Sequence, residues 1–277
     1  MSKTNVYQIV TDRIIKQLEK GVIPWRKPWQ GIQGGSYNRI SKKPYSVLNQ
    51  MILKHNGEYA TFKQWQSVGG KIKKGAKSEI VVFWKILEKE VVNADGEKEK
   101  QTIPMLRYYN VFHISDVENV KPLEREPIEH EPIKEAEKIA MEYVAREKIK
   151  LNVKVSNEAF YNPLFDSVTV PKLEQYENKA EYYSTLYHEL THSTGHKKRL
   201  DRLTTNTDRT GYAKEELIAE IGSAYSMNKL NIENDKAFTN SVAYLNGWLQ
   251  ALKNDNKLIV SASSKAEKAV KLIFNEK

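Results

Sequence analysis

Cysteine is absent from this chain of 277 residues, which rules out disulfides and thiolate metal sites and fits a reducing compartment. No apolar run approaches the roughly 20 residues needed to cross a bilayer, and the N-terminus lacks the apolar core of a signal peptide. There is no internal repeat and no low-complexity tract. The expectation from these absences is a soluble, cytoplasmic, globular protein with no membrane partner.

What is present is charge, and it is unevenly placed. Residues 1–125 carry 22 Lys/Arg against 12 Asp/Glu, a net +10, whereas residues 126–277 carry 22 against 23, a net −1. Such asymmetry points to a polyanion-binding module joined to a neutral one. Residues 121–133, rich in proline and alternating charge with little periodicity, read as a semi-extended linker. The expected architecture is α+β in two domains. Residues 1–120 form a small basic α+β nucleic-acid-binding domain, and residues 134–277 form a mostly helical domain with a short sheet.

In the first half, helical spacing runs over 5–20 and stops at Gly21, with shorter helices over 46–55 and 61–68. A long strand over 78–92 returns over 101–114 across an Asp95-Gly96 turn. Aromatic and basic residues interleave in two runs. One contains Trp25, Arg26, Lys27, Trp29, Tyr37, Arg39, Lys42, Lys43 and Tyr45; the other contains Lys63, Trp65, Lys71, Lys73, Lys74 and Lys77. Cations that track phosphates and rings that stack on bases suit single-stranded DNA. Lysine-rich loops also hold duplex backbone, so duplex DNA stays open as a partner. The rings also fit a core, and strand alternation puts at least one of Phe83 and Trp84 inside.

The second half contains His188-Glu189-Leu190-Thr191-His192, an H-E-x-x-H pattern. Histidines four apart share one helix face and can both point at one tetrahedral metal. Glu189, about 100° around the helix, falls beside the metal, where it can take a proton from water that the metal activates. A catalytic site of this kind needs a third protein ligand. The helical stretch 212–222 offers Glu215, Glu216 and Glu220. Glu216 and Glu220 lie one turn apart on a common face, and Glu215 points elsewhere. Glu216 is therefore assigned as ligand, and Glu220 as the acceptor that orients a histidine Nδ1–H. A three-histidine site is excluded because Lys198 stands where the third histidine belongs, which leaves His196 as a loop residue. Gly195 is expected to end the helix. The short strand over 166–171 is expected to be the exposed edge that holds an extended peptide. The implied cofactor is one divalent metal ion, zinc by the motif, with manganese as the alternative.

Several segments carry a wider likeness. In the first half they are Ile23-Pro-Trp-Arg-Lys-Pro-Trp29, Thr61-Phe-Lys-Gln-Trp65, Gly69-Gly-Lys-Ile-Lys-Lys-Gly75, Val82-Phe-Trp-Lys85 and Tyr108-Tyr-Asn-Val-Phe112. In the second they are Tyr187-His-Glu-Leu-Thr-His192, Arg199-Leu-Asp-Arg202 and Tyr212-Ala-Lys-Glu-Glu-Leu-Ile-Ala-Glu-Ile221. Together they resemble the ArdC-like antirestriction proteins of plasmids, conjugative elements and phages. The resemblance implies an N-terminal single-stranded-DNA-binding domain and a C-terminal zincin-like metallopeptidase domain. On that pattern His188, His192 and Glu216 are metal ligands and Glu189 is the catalytic glutamate. It also implies protection of incoming DNA from host restriction. It does not name what is cleaved; host restriction enzymes or other DNA-bound proteins are the substrates expected of a peptidase held on that DNA. Two rival readings remain: a passive single-strand shield whose metal only staples the fold, and a DNA-dependent protease of replication or crosslink clearance.

Overall fold

The first helix owes its position to one apolar stripe. In the computed structural model, which describes residues 5–26, 35–92, 98–123, 132–203, 209–232 and 241–276, α1 spans Val6–Leu18. Asn5 caps it by accepting the Tyr7 N–H at 3.1 Å, and Val6, Val10, Ile14 and Leu18 line its buried face. Gly21 stops it in the left-handed region at φ 74°. A 3-10 turn over Pro24–Arg26 then turns Trp25 fully inward.

Next come β1 (Ser36–Asn38), α2 (Val47–Ile52), β2 (Gly57–Ala60), α3 (Phe62–Ser67), β3 (Lys71–Ile72), β4 (Glu79–Val92), β5 (Lys98–His113) and β6 (Val117–Glu118). The main sheet has the order β1-β2-β5-β4, with β4 and β5 as a long antiparallel hairpin. The short strands β1 and β2, too brief to read from periodicity, extend it.

Two adjacent amides on buried α2 fasten this sheet. Asn49 donates to the Val82 carbonyl at 2.8 Å and accepts the Val82 N–H at 2.7 Å, closing part of the open edge of β4. Gln50 accepts the Ser36 N–H at 2.7 Å and donates to its carbonyl at 2.8 Å.

The second half contains α4 (Pro132–Glu147), β7 (Lys150–Lys154), β8 (Phe160–Asn162), β9 (Ser167–Pro171), α5 (Lys179–Ser193), α6 (Arg209–Lys229), α7 (Ser241–Asn254) and α8 (Leu258–Ile273). None of the described helices is long and apolar enough to cross a membrane. The small sheet has the order β7-β9-β8, which corrects the expectation that 166–171 is an exposed edge. That segment is the central strand, buried from Ser167 to Val170, as a strand flanked on both sides requires. The outer strand antiparallel to it is β8.

The halves are distinct in charge but share one core. Val10, Ile14, Leu18, Trp25 and Met51 pack in the same cluster as Leu217, Ile221, Trp248, Leu252 and Ile259. At its centre Trp25 and Trp248 meet edge to face, with ring centroids 5.3 Å apart at 73°. Trp25→Ala is expected to cost about 3–5 kcal/mol. Urea unfolding followed by tryptophan fluorescence and far-UV circular dichroism should show one transition at lower urea. Two well-separated transitions in the wild type would contradict the shared core.

Candidate metal centre

α5 is buried on most of its circumference, and that burial fixes the rotation of its histidines. Asn178 caps it through the Glu181 N–H at 2.8 Å. Leu186, Tyr187 and Leu190 are fully buried in the second core cluster, and the Tyr187 hydroxyl donates to the Ala136 carbonyl at 2.9 Å. His188 and His192 then face α6.

α6 approaches α5 closely. A Cβ on Gly222 would lie 2.6 Å from Thr191 Cγ2 and 2.7 Å from its Oγ1. One residue on, the Ser223 hydroxyl donates to the Ser184 carbonyl at 2.7 Å. This approach brings Glu216 onto the two histidines. His188 Nε2 and His192 Nε2 are 3.1 Å apart, and they lie 3.5 and 3.4 Å from the two Glu216 oxygens. The edge of a tetrahedron with metal–ligand bonds of about 2.0–2.1 Å is ~3.3 Å, so the three groups fit a tetrahedral divalent cation. Among the described residues, these three offer ligand atoms within 4.8 Å of one another.

The outer contacts differ in part from expectation. Glu220 lies 3.9 Å from His188 Nδ1, within ion-pair range but beyond a hydrogen bond. Glu215, expected to point elsewhere, lies 3.1 Å from His192 Nδ1. Arg202 grips the same carboxylate with Nε at 3.0 Å and a terminal nitrogen at 2.9 Å. Arg202 also donates to the Thr191 carbonyl and the Thr194 hydroxyl, tying the end of α5 to α6.

Gly195 makes this possible by close approach rather than by a left-handed stop. Its φ is not positive, but an added Cβ would meet Leu203 Cγ at 2.8 Å and Arg202 Cγ at 3.0 Å where the chain folds back. His196 is a hydrogen-bonded loop residue whose Nδ1 accepts the Lys198 N–H at 3.2 Å.

Electrostatics follow from burial and from these contacts. Burial raises the Glu189 pKa, and Glu216 adds to it, while His188 and His192 pull it down. A hydrogen bond from the Tyr161 backbone, on β8, also reaches Glu189. Burial acts to lower the His192 pKa, but Glu215, Glu216 and Glu189 outweigh it and push it up to about 10. For Glu216 burial opposes ionisation, and the two histidines overcome it, leaving its pKa well below the ordinary value. A metal bound here would have to displace the His192 proton, so its affinity is expected to fall as the pH is lowered.

The residues expected to contact nucleic acid separate into groups. Trp25, Tyr37 and Trp65 are core, and the Trp65 Nε1–H donates to the Phe112 carbonyl at 2.9 Å. No ring face of these three is open for base stacking, because all three side chains are buried. Arg39 is paired with Glu58, and Tyr45 is half-buried. Lys42, Lys43, Lys63, Lys71, Lys73, Lys74 and Lys77 are exposed. Lys27, Trp29 and the Arg26 side chain lie outside the described residues. Among the described residues of this half, the exposed rings are others: Phe62 on α3, and Trp84, Tyr108 and Tyr109 on the β4–β5 hairpin. Charge and ring counts in sequence could not tell these sets apart.

Fold and site thus define a zincin-type metal centre joined to a basic α+β half. A family model described as a zincin-like metallopeptidase matches residues 137–265, and one described as the N-terminal domain of anti-restriction factor ArdC matches residues 4–112. The crystal structure of the antirestriction protein ArdC from plasmid R388, metal-free, superposes with a TM-score of 0.79 at 33% identity. That match covers 99% of this chain and 100% of the other. Its Mn(II)-bound structure gives 0.78 at 32%, covering 98% of each. The chain belongs to the ArdC family of antirestriction proteins. It is also 33% identical, over 96% of its length, to the DNA primase TraC of Escherichia coli, of which it spans only 27%.

Two substitutions test the geometry. Glu215→Gln is expected to weaken metal binding about 10–100-fold, measured by competition with a chromophoric chelator. Gly222→Ala should destabilise the fold by about 1–3 kcal/mol through overpacking against Thr191. It should also weaken the metal, because Glu216 is displaced; unchanged affinity would show that the helix spacing does not set the site.

Proposed function

We propose that this chain is a DNA-binding antirestriction protein whose second half is a metal-dependent peptidase acting on proteins bound to the same DNA. The observation that carries the reading is Glu189, a buried carboxylate of raised pKa beside three groups at metal-ligand spacing. The relative whose crystal structure holds Mn(II) supports a divalent ion. His188, His192 and Glu216 hold it, and two imidazoles with a carboxylate suit zinc, with manganese as the alternative.

When bound, the cation supplies Lewis acidity and makes a water deprotonable near neutral pH. Glu189 takes the water's proton and hands it to the leaving amine. Glu215, locked by Arg202, holds the Nδ1 side of His192, so that Nε2 faces the cleft. The outer strand β8 takes an extended peptide by strand addition, with exposed Leu164 and Phe165 at its turn as apolar flanks. The basic half holds single-stranded DNA through its exposed lysines and raises the local concentration of proteins on that strand.

The test compares purified wild type with Glu189→Gln on restriction enzymes and other DNA-bound proteins, with and without single-stranded DNA. Wild type should cleave at least about 100-fold faster, faster still with DNA. EDTA should stop the cleavage, and zinc or manganese should restore it. If neither form cleaves and Glu189→Gln protects DNA from restriction in cells as well as wild type, the protein is a passive shield.

A further inference from the structure

A cleft of about 900 Å³ separates the β4–β5 hairpin from α8. That volume lies toward the upper end of small-ligand sites, roughly 300–1,000 Å³. It is remote in composition from the metal centre, because none of the metal-centre residues lines it. One wall is aromatic. Phe83 and Tyr109 stack in parallel, with centroids 4.6 Å apart and planes 4° from each other. Phe83 covers one face of Tyr109, yet Tyr109 is 56% exposed, so its other face is open. Trp84, next along β4, is 47% exposed.

The buried lining is apolar, from Leu48, Val82, Leu106 and Val111, and half-buried neutral polar groups stand beside it. Asn38 Nδ2 donates to the Tyr45 hydroxyl at 3.4 Å and to Gln64 Oε1 at 3.3 Å, leaving amide and hydroxyl groups directed at the cleft. The opposite wall comes from the second half of the chain. Ser264, Glu267, Lys268 and Lys271 follow one another at helical spacing on one face of α8, and all four line the cleft. The charged lining groups are these two lysines and Glu267.

We infer that this cleft is a single-stranded nucleic-acid site, with a base stacked on Tyr109 and the adjoining phosphates held by Lys268 and Lys271 of α8. The inference rests on the DNA-binding reading above and moves part of its site out of the basic half. A ring platform faced by cations is what single strands require, since each base has a π face and each linkage a charge. A duplex keeps its bases stacked inside and cannot present one to Tyr109. Glu267, on the same face, accepts base N–H groups and keeps phosphates toward the lysines. The shared core places α8 against the sheet, so the site exists only when both halves are folded together.

The experiment is fluorescence anisotropy with the full chain and a short fluorescein-labelled single-stranded oligonucleotide, over a range of salt. Tyr109→Ala should weaken binding about fivefold or more. Lys268→Gln/Lys271→Gln should weaken it and lower the slope of log affinity against log salt by about 1.4, the value for two phosphate contacts on a single strand. Circular dichroism of both variants should match wild type, since all three side chains are exposed. A strand carrying 5-iododeoxyuridine should photo-crosslink to Tyr109 or Trp84. A wild type that fails to bind the oligonucleotide sinks the DNA-binding reading itself. A wild type that binds, with both variants unchanged in affinity and salt slope, overturns the cleft alone. So does equal competition by duplex of the same sequence, or a Tyr109→Ala variant that loses only self-association on size-exclusion chromatography.

Discussion

The close passage of α6 over α5 is the constraint on which the metal centre depends. Glycine at 222 lets the α6 backbone rest on Thr191, whose hydroxyl is itself spent on the Tyr187 carbonyl at 2.7 Å. Thr191 is the residue before His192, and Gly222 stands six residues after Glu216. The contact therefore sets the distance between helices within two turns of every ligand. A larger residue there would lengthen the gap by more than the 0.2 Å tolerance of a metal bond. Helix packing, ordinarily a matter of stability, here determines whether a third group stands at ligand spacing.

How much of this could be read from the sequence depended on how local each feature is. The H-E-x-x-H spacing was legible because i and i+4 share a face on any helix. That Glu216 shares a face with Glu220 was legible for the same reason, whereas its spacing from the two histidines comes from the packing of α6 on α5. Glu215 was misjudged because its contact is made by neither helix alone. It meets His192 and Arg202 only because the chain turns back over Gly195, and nothing in a periodic pattern reports that return. The tryptophans failed for a different reason. A ring among prolines and lysines has the same composition whether it stacks on a base or fills a core. Trp25 became core through a partner more than two hundred residues away. The long hairpin, the main helices and the α+β class followed from patterns of period 2 and 3.6, which need no distant partner. The central place of β9 did not, since alternation leaves strand order open.

The shared core also bears on how the two activities proposed for this chain relate. A flexible linker would let a DNA-binding module and a peptidase act independently, coupled only by effective concentration. Here α1 and Trp25 of the basic half pack in the same cluster as Leu217 and Ile221 of α6, the helix that carries Glu216. Strain imposed on the basic half thus has a packed route to the helix that carries Glu216. A route is not coupling, but it makes the spacing of α5 and α6 the element through which DNA could bias the site.

Charge at the centre argues against a purely structural metal. Glu215 is neutralised by Arg202, and Glu216 by the two imidazoles. Those contacts would hold a staple in place by themselves. Glu189 stands apart. Its burial raises its pKa, and His188 and His192 offset that only in part. A buried carboxyl that the fold does not fully compensate costs stability. Glutamine at this position would keep the shape and remove the cost. An acid whose proton affinity is increased beside three groups at ligand spacing is what the proposed role as a base for water requires.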